Sequence, residues 1–421
     1  MATILIFGAG KSATYCINYL AKQALIQNFT LIVADANKGL LNSKTKNYTH
    51  VITKIIAIEN TEARQALINQ CNVCISLLPP QLHNLVALDC LQFNKHLATA
   101  SYADDTMKAL HEEALKKGLT FLCEIGLDPG LDHMSAMELV EKIKAKNGQI
   151  KSFISHCGGL VAPESDNNPW HYKISWNPKN IVTSGKAGAI YKQNGNIIKK
   201  HYSQIFETIN TIETLNHTKL AWYANRDSLS YMPLYNLNET ETFLRTTLRY
   251  PNFISGWQKI VTLNLTNEAP IHNNTLFIAE IINKYKNDKQ LQYLLKDVQN
   301  FEPQNSIFSS ADVLQFLLEQ NLVLQPTDKD AVVMHHEIIY ENNNNQLKKI
   351  ISSLTLIGQD SVHTAMAKTV GIPLALGALL ILNNNCPIKG VTIPIYKQIY
   401  APVLKELKNE GIIFEEMEVD V

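Results

Sequence analysis

The chain has 421 residues, enough for two or three domains and an ample buried core. Its 38 basic and 38 acidic side chains balance and no basic cluster stands out, which argues against a nucleic-acid partner. A membrane span needs about 20 uninterrupted apolar residues; the longest apolar stretch, Ile372 to Leu382, is shorter and contains Pro373, so no membrane partner is expected. From the N-terminus, "MATILIFGAG" moves directly into a strand without a basic leader, so no signal peptide is expected. Seven scattered cysteines point to free thiols in a reducing, cytoplasmic setting.

The first 125 residues alternate strand and helix. "TILIFGAG" reads as a strand ending in glycines, and Lys11 to Leu25 as a helix. "FTLIVAD", "VITKIIAI", "VCISLLPP", "KHLATAS" and "LTFLCEI" read as further strands, with helical patterns such as "TEARQALINQ" and "ADDTMKALHEEALKKG" between them. The strands are largely apolar rather than alternating, as expected for a parallel sheet covered on both faces. The fold class is therefore α/β, with an N-terminal Rossmann-type doubly wound sheet. Cys71 and Cys74 form a C-x-x-C, but the pair runs into a strand rather than opening a helix, and no second pair completes a zinc site.

Beyond Ile150 the pattern turns strand-like and rich in aromatic and polar residues. From about Asn274 to Leu322 it is helical, in "LFIAEIINKYKN", "LQYLLKDVQ" and "ADVLQFLLEQ". "AVVMHHEIIYENNNNQLKKIISSLTLIG" reads as two strands joined by an Asn-rich turn. His335 and His336 point to opposite faces of that first strand and cannot easily share a metal. The last sixty residues return to helix and strand. The expected division is a dinucleotide-binding domain at 1–125 and 363–421, an α+β substrate and dimerisation domain at 126–273 and 323–362, and a helical subdomain at 274–322.

Gly8-Ala9-Gly10-Lys11-Ser12-Ala13 fits G-x-G-x-x-G/A between a strand and a helix. The glycines allow a tight turn and close approach to a pyrophosphate, and the N–H groups of the helix start bind its charge. Asp35 ends the second strand at the spacing where a carboxylate holds the ribose hydroxyls of NAD. It would repel the 2′-phosphate of NADP, and no arginine stands beside it, so NAD(H) is favoured. The plainer reading of Asp35 is a strand-end aspartate that caps a turn.

Ligands of open α/β sheets bind outside the carboxyl ends of the strands. Those ends are Gly8–Gly10, Asp35, the segment from Ser76 and Leu77 to Pro79, Thr99–Tyr102 with Ser101, and Glu124–Asp128 with Gly126 and Leu127. The stretch "LCEIGLDPGLDHMSAMEL" places Glu124, Asp128, Asp132 and His133 within ten residues there. No metal is expected, because Pro129-Gly130 forces a turn between the carboxylates. Asp132 precedes an amphipathic helix and reads as its N-cap. Asp128 has no such task and faces the nicotinamide side.

"EIGLDPGLDHMSAM", "SHCGGLVAPESDNNPWHYKISWNP", "YANRDS", "TTLRY" and "AMAKTVGIP" together resemble the saccharopine dehydrogenases of the glutamate-forming type, or saccharopine reductases. The segments stand in family order across nearly the whole chain. The resemblance implies reversible condensation of 2-aminoadipate 6-semialdehyde with glutamate to saccharopine, with hydride transfer at the imine carbon, and a homodimer. It places Ser101, Tyr102, Asp128, Cys157, Arg226 and Thr247, Leu248 and Arg249 around substrate, and Ser175 near the cofactor. Asp128, Tyr102 and Cys157 are the catalytic candidates. Arg226 and Arg249 suit bidentate pairing with substrate carboxylates, whereas each arginine alone could equally be an interdomain ion pair.

The chain departs from the family at Cys123, where members often have Asn, and at His156, where they often have Tyr. Fungal members carry an arginine after the second strand and use NADP(H); here that region reads "VADANKG". Other readings are an imine-reducing relative of the carboxynorspermidine or lysine 6-dehydrogenase type, and a catalytically silent nucleotide-binding regulator. The first would not need two arginines for glutamate carboxylates, and the second predicts loss of the polar set that is present here.

Overall fold

The computed structural model describes residues 1–271, 285, 287–302 and 308–421. They form two compact units, Met1–Lys142 with Met366–Ile413 and Ile143–Ala365 with Phe414–Val421. In the first, β1 (Thr3–Phe7), β2 (Thr30–Asp35), β3 (Ile52–Ile55), β4 (Val73–Ser76), β5 (His96–Thr99) and β6 (Thr120–Leu122) alternate with helices. These helices are α1 (Thr14–Gln27), α2 (Lys38–Thr45), α3 (Thr61–Gln70), α4 (His83–Gln92), α5 (Asp105–Ala109) and α6 (His111–Lys116), and α7 (Leu131–Ala145) follows β6. The strands lie parallel in the order β6-β5-β4-β1-β2-β3. A further strand, Gly390–Thr392, adds in parallel beside β6.

The centre of this sheet is buried on both faces: every residue of β1 and β4 is buried. That is the physical reason the strands are continuous apolar runs. The edge strand β3 differs, with all four residues exposed. The expected long helix after β5 breaks at Leu110 into α5 and α6. The expected helix from Lys11 opens as a 3-10 turn, Lys11–Ala13, and becomes α-helical at Thr14.

The apolar helix Ala365–Leu382 is long and apolar enough to cross a membrane by length and composition, and contains Pro373. Most of it is buried inside the protein. Gly371 brings it against α1, since a Cβ there would meet the Cys16 amide nitrogen at 2.7 Å.

The second unit is built on a mixed sheet. Its strands are β7 (Gln149–Val161), β8 (Ala189–Gln193), β9 (Asn196–Lys200), β10 (Asn210–Glu213), β11 (Lys219–Ala224), β12 (Arg226–Asp227) and β13 (Thr242–Arg249). After β14 (Pro270–Ile271) and β15 (Phe308–Ser309), which pair separately, come β16 (Asp330–Glu341) and β17 (Leu347–Ile357). The main path runs β10-β11-β13-β7-β16-β17 and ends on the strand Glu415–Asp420. β13 joins β7 in parallel, while β16 is antiparallel to both β7 and β17.

The division differs from the expected one in three places. Residues 126–142 belong with the dinucleotide-binding unit, because α7 grows directly from the turn after β6. Residues 414–421 leave that unit, because Glu415–Asp420 pairs with β17. Lys348 pairs with Asp420, and Tyr340 donates to Glu418 at 2.8 Å. The helical segment is not separate. Leu291 and Leu294 from the helix Lys289–Leu295, and Leu314, Leu317 and Leu318 from the helix Ser310–Asn321, share one core with Tyr172, Phe253 and Trp257. Most of the expected helix "LFIAEIINKYKN" lies outside the described residues.

Candidate active site

The glycine loop leaves β1 at Gly8, whose φ of +105° suits glycine. A Cβ there would strike the Leu77 carbonyl oxygen at 2.7 Å, so the loop is pressed against the end of β4. Gly10 is different. A Cβ there would meet nothing within 4 Å, which leaves open space at the start of the Lys11–Ala13 turn. Lys11 is exposed, Ser12 half-buried and Ala13 buried. This opening at a helix start fits a dinucleotide pyrophosphate.

Each carboxylate oxygen of Asp35 accepts a backbone hydrogen bond. Oδ2 accepts from the Ala9 amide and Oδ1 from the Asn37 amide, each at 2.7 Å. The aspartate ties the glycine loop to the turn after β2, which is the plainer of the two readings of its position.

At the neighbouring strand ends, Ser76 and Thr99 are buried and Ser101 is half-buried. His83, at the start of α4, joins two of them. Its Nδ1 lies 2.7 Å from Ser76 Oγ and its Nε2 lies 2.7 Å from Ser101 Oγ. Burial pushes the His83 pKa down to about 4 against a weaker upward pull from Asp104, so the imidazole is neutral at physiological pH. Sequence reasoning missed His83. The available signal was its place at the carboxyl side of β4, four residues after Pro79.

The four polar residues of the "LCEIGLDPGLDHMSAMEL" stretch separate into two groups. Glu124 is buried with φ +57°, and its carboxylate accepts from the Ala103 amide at 3.2 Å and approaches His133 Nε2 at 2.9 Å. Its own amide donates to the Ser101 carbonyl at 3.0 Å. Glu124 and His133 are thus an internal brace between the strand ends and α7. Among the described residues no cluster of three or more His, Cys, Asp or Glu side chains is arranged to hold a metal ion.

Asp128 is half-buried and accepts from the Tyr102 hydroxyl at 3.2 Å. The turn that carries it is closed by backbone bonds from the Gly126 amide to the Pro129 carbonyl and from the Leu131 amide to the Gly126 carbonyl. The Asp128–Pro129 peptide is cis. Leu127 is buried in the same turn, and its carbonyl accepts from the Asp132 amide at 3.0 Å. Asp132 is not the N-cap residue itself. It is the second residue of α7, and its Oδ1 reaches back to the Gly130 amide at 2.6 Å. It still satisfies a donor at the helix start, where negative charge is favoured.

The second unit presents its own set. β13 carries Thr247, Leu248 and Arg249, and strand alternation divides them. Leu248 turns into an apolar cluster with Leu160, Leu220 and Val333, so its side chain is core rather than a ligand contact. Thr247 and Arg249 share the other face, and Thr247 is paired in register with Cys157 of β7. Cys157 is buried.

Arg249 is 4% exposed, and its guanidinium lies 5.4 Å from the Tyr172 ring centre and 5.3 Å from that of Phe253. Nη1 donates to the Leu248 carbonyl at 2.7 Å, while Nε has no hydrogen-bond partner among the described residues. A buried cation with an unused donor suits an incoming carboxylate. Arg226 is exposed on β12 with φ +51°, and Ser175 is buried just after Ile174, which bridges to Val323. Arg245 was also missed. It is buried, with its guanidinium 4.5 Å from the Tyr231 ring centre.

Comparison with known proteins assigns both units. Residues 4–122 match the saccharopine dehydrogenase NADP binding domain, and residues 126–412 match the saccharopine dehydrogenase C-terminal domain. The chain belongs to the saccharopine dehydrogenase family. It is 32% identical to the alpha-aminoadipic semialdehyde synthase of Arabidopsis thaliana over 97% of its own length and 44% of that protein. The chain thus spans about half the length of such relatives. The saccharopine dehydrogenase [NADP(+), L-glutamate-forming] of Schizosaccharomyces pombe is 27% identical over the full length of both chains. The apo saccharopine dehydrogenase (L-Glu forming) structure from Saccharomyces cerevisiae superposes with a TM-score of 0.84 at 26% identity, covering both chains completely. The first unit of this family member is therefore a dinucleotide-binding domain whose matching model is described for NADP rather than NAD.

The two aspartates of the turn should separate in thermal melts. Asp132→Ala removes the bond to the Gly130 amide and should cost about 0.5–2 kcal/mol of stability. Asp128→Asn keeps the shape and should leave the melting temperature of the ligand-free protein nearly unchanged. Equal losses in the two variants would contradict this division.

Proposed function

We propose that this chain oxidises saccharopine, reversibly, to glutamate and 2-aminoadipate 6-semialdehyde. The observation that carries the reading is end-to-end similarity to a protein named for that reaction, with both chains fully covered. In the oxidative direction the amine-bearing carbon on the aminoadipate side, the one that becomes the aldehyde, gives up a hydride and its C–N bond becomes an iminium. Water then adds to that carbon, the C–N bond breaks, and glutamate leaves with the nitrogen. A nicotinamide cofactor, when bound, supplies the hydride acceptor.

The side chains suit these demands. Saccharopine carries three carboxylates and one amine nitrogen. Arg249 is a desolvated guanidinium with an unused Nε donor, and is assigned to a carboxylate. Arg226 is exposed and is assigned to a second. Asp128, oriented by Tyr102, is assigned to the nitrogen, where an anion stabilises positive charge as the iminium forms. Through the family resemblance, Thr247 and Cys157 are assigned to substrate, Ser101 to substrate and cofactor, and Ser175 to cofactor. A homodimer belongs to this reading through the resemblance, and a reducing cytoplasmic setting through seven scattered, buried cysteines.

For the cofactor we infer NADP(H). Asp35 is committed to two backbone amides, and Lys38 stands exposed at the first position of α2, three residues beyond it. A cation there offsets a 2′-phosphate. This reverses the preference drawn from Asp35 alone.

Steady-state saccharopine oxidation with both cofactors tests the activity and the preference together. The expected kcat/KM is higher with NADP+ than with NAD+; the opposite order would restore the ribose role of Asp35, and absence of turnover with either would remove the proposed reaction. Arg249→Ala should weaken saccharopine binding by about 1.5–3 kcal/mol, the usual cost of losing a charged hydrogen-bonding partner, with the cofactor KM retained. Normal saccharopine affinity in that variant would make Arg249 a structural cation.

A further inference from the structure

We infer that His83 is a positioning residue that fixes Ser101 as a hydrogen-bond donor to a carboxylate oxygen of the substrate. The inference rests on the proposed reaction for the identity of the ligand and on the hydrogen-bond geometry for the rest. A neutral imidazole has one donor nitrogen and one acceptor nitrogen. His83 touches a serine hydroxyl with each, both at 2.7 Å. The two hydroxyls must therefore play opposite roles.

Burial decides which is which. Ser76 is 0% exposed, and among the described residues its hydroxyl has His83 Nδ1 as its hydrogen-bond partner. If Nδ1 carried the proton, the Ser76 O–H would point into the protein interior with no acceptor. A buried unsatisfied donor is costly, so the favoured arrangement has Ser76 donating to Nδ1. The ring proton then sits on Nε2 and is donated to Ser101 Oγ. That leaves the Ser101 proton directed away from His83. Ser101 is half-buried and its carbonyl accepts from the Glu124 amide, so the hydroxyl, with one lone pair taken by Nε2, is left to donate to a ligand.

The consequence is selectivity. A serine held as a donor favours an anionic oxygen and disfavours a ligand N–H at the same place. The charge of His83 is not used; the ring relays the buried constraint at Ser76 to an accessible hydroxyl. His83 acts through Ser101 and is not itself a catalytic residue.

The test is a double-mutant cycle on the full chain with saccharopine and NADP+. His83→Phe keeps a ring and removes both nitrogens. It should lower kcat/KM for saccharopine by about tenfold, the cost of one charge-assisted hydrogen bond, through KM more than kcat. In the Ser101→Ala background the same change should cost little, because the two residues act as a unit. His83→Gln, which can still donate to Ser101, should recover most of the loss, and His83→Leu, which also removes both nitrogens, replaces the Phe variant if that one does not fold. Equal costs in both backgrounds, or unchanged kinetics of His83→Phe, would overturn the inference. Imidazole 15N spectra, with the His83 signal identified by its loss in the variant, read the tautomer without any turnover. A proton on Nε2 between about pH 5 and 8 is the expected result, and a proton on Nδ1 would overturn the assignment. If the wild type does not oxidise saccharopine, the proposed reaction falls, and the tautomer still decides what His83 does.

Discussion

The first unit depends on one close contact, that between Gly130 and Gly126. A Cβ at Gly130 would lie 2.2 Å from the Gly126 amide nitrogen, and the residue has φ +144°. No other amino acid fits that position without moving the turn. The contact lets the chain reverse between the end of the sheet and α7 within a few residues. Leu131 and Asp132 donate to the carbonyls of Gly126 and Leu127, so the helix starts where the turn ends. Asp128 is carried on this backbone turn, and its carboxylate accepts from the Tyr102 hydroxyl. Such placement on rigid backbone is what a charge aimed at a reacting nitrogen requires.

The polar residues around the turn are mostly occupied in making it rigid. Glu124 spends its carboxylate on Ala103 and His133, and Asp132 spends one oxygen on Gly130. Asp35 does the same for the glycine loop. Buried carboxylates of this kind are stabilised by backbone amides and need no metal. The second unit follows the opposite pattern at Arg249, where a buried guanidinium rests on aromatic rings and keeps Nε unused. A structural arginine of comparable burial, Arg64, instead meets Asp89 at 2.6 Å.

The parallel sheet could be read from sequence because its strands are short and consecutive and, at the centre of the sheet, buried on both faces. The glycine loop could be read because its spacing has a backbone cause. The second sheet could not be assembled that way: β13 meets β7 in parallel across about ninety positions of sequence, and the acidic run Glu415–Asp420 becomes a strand only because β17 is there to pair with it. The position of Asp35 was legible, but not the two amides that occupy it. Leu248 was placed with its neighbours by motif, although alternation along β13 puts it on the other face. His83 escaped notice because its meaning lies in two serines brought together from different strand ends. Arg249 and Asp128 were singled out through chemistry and family pattern together, since either residue alone has a bland alternative.

We propose that the Gly126–Gly130 turn presents the Asp128 charge to the substrate nitrogen. The most direct measurement is kcat/KM of Asp128→Asn for saccharopine, with cofactor affinity measured separately on the same protein. The account predicts a fall of about tenfold or more, the scale of one lost charged contact, with cofactor affinity retained. Full activity of the asparagine variant would contradict it.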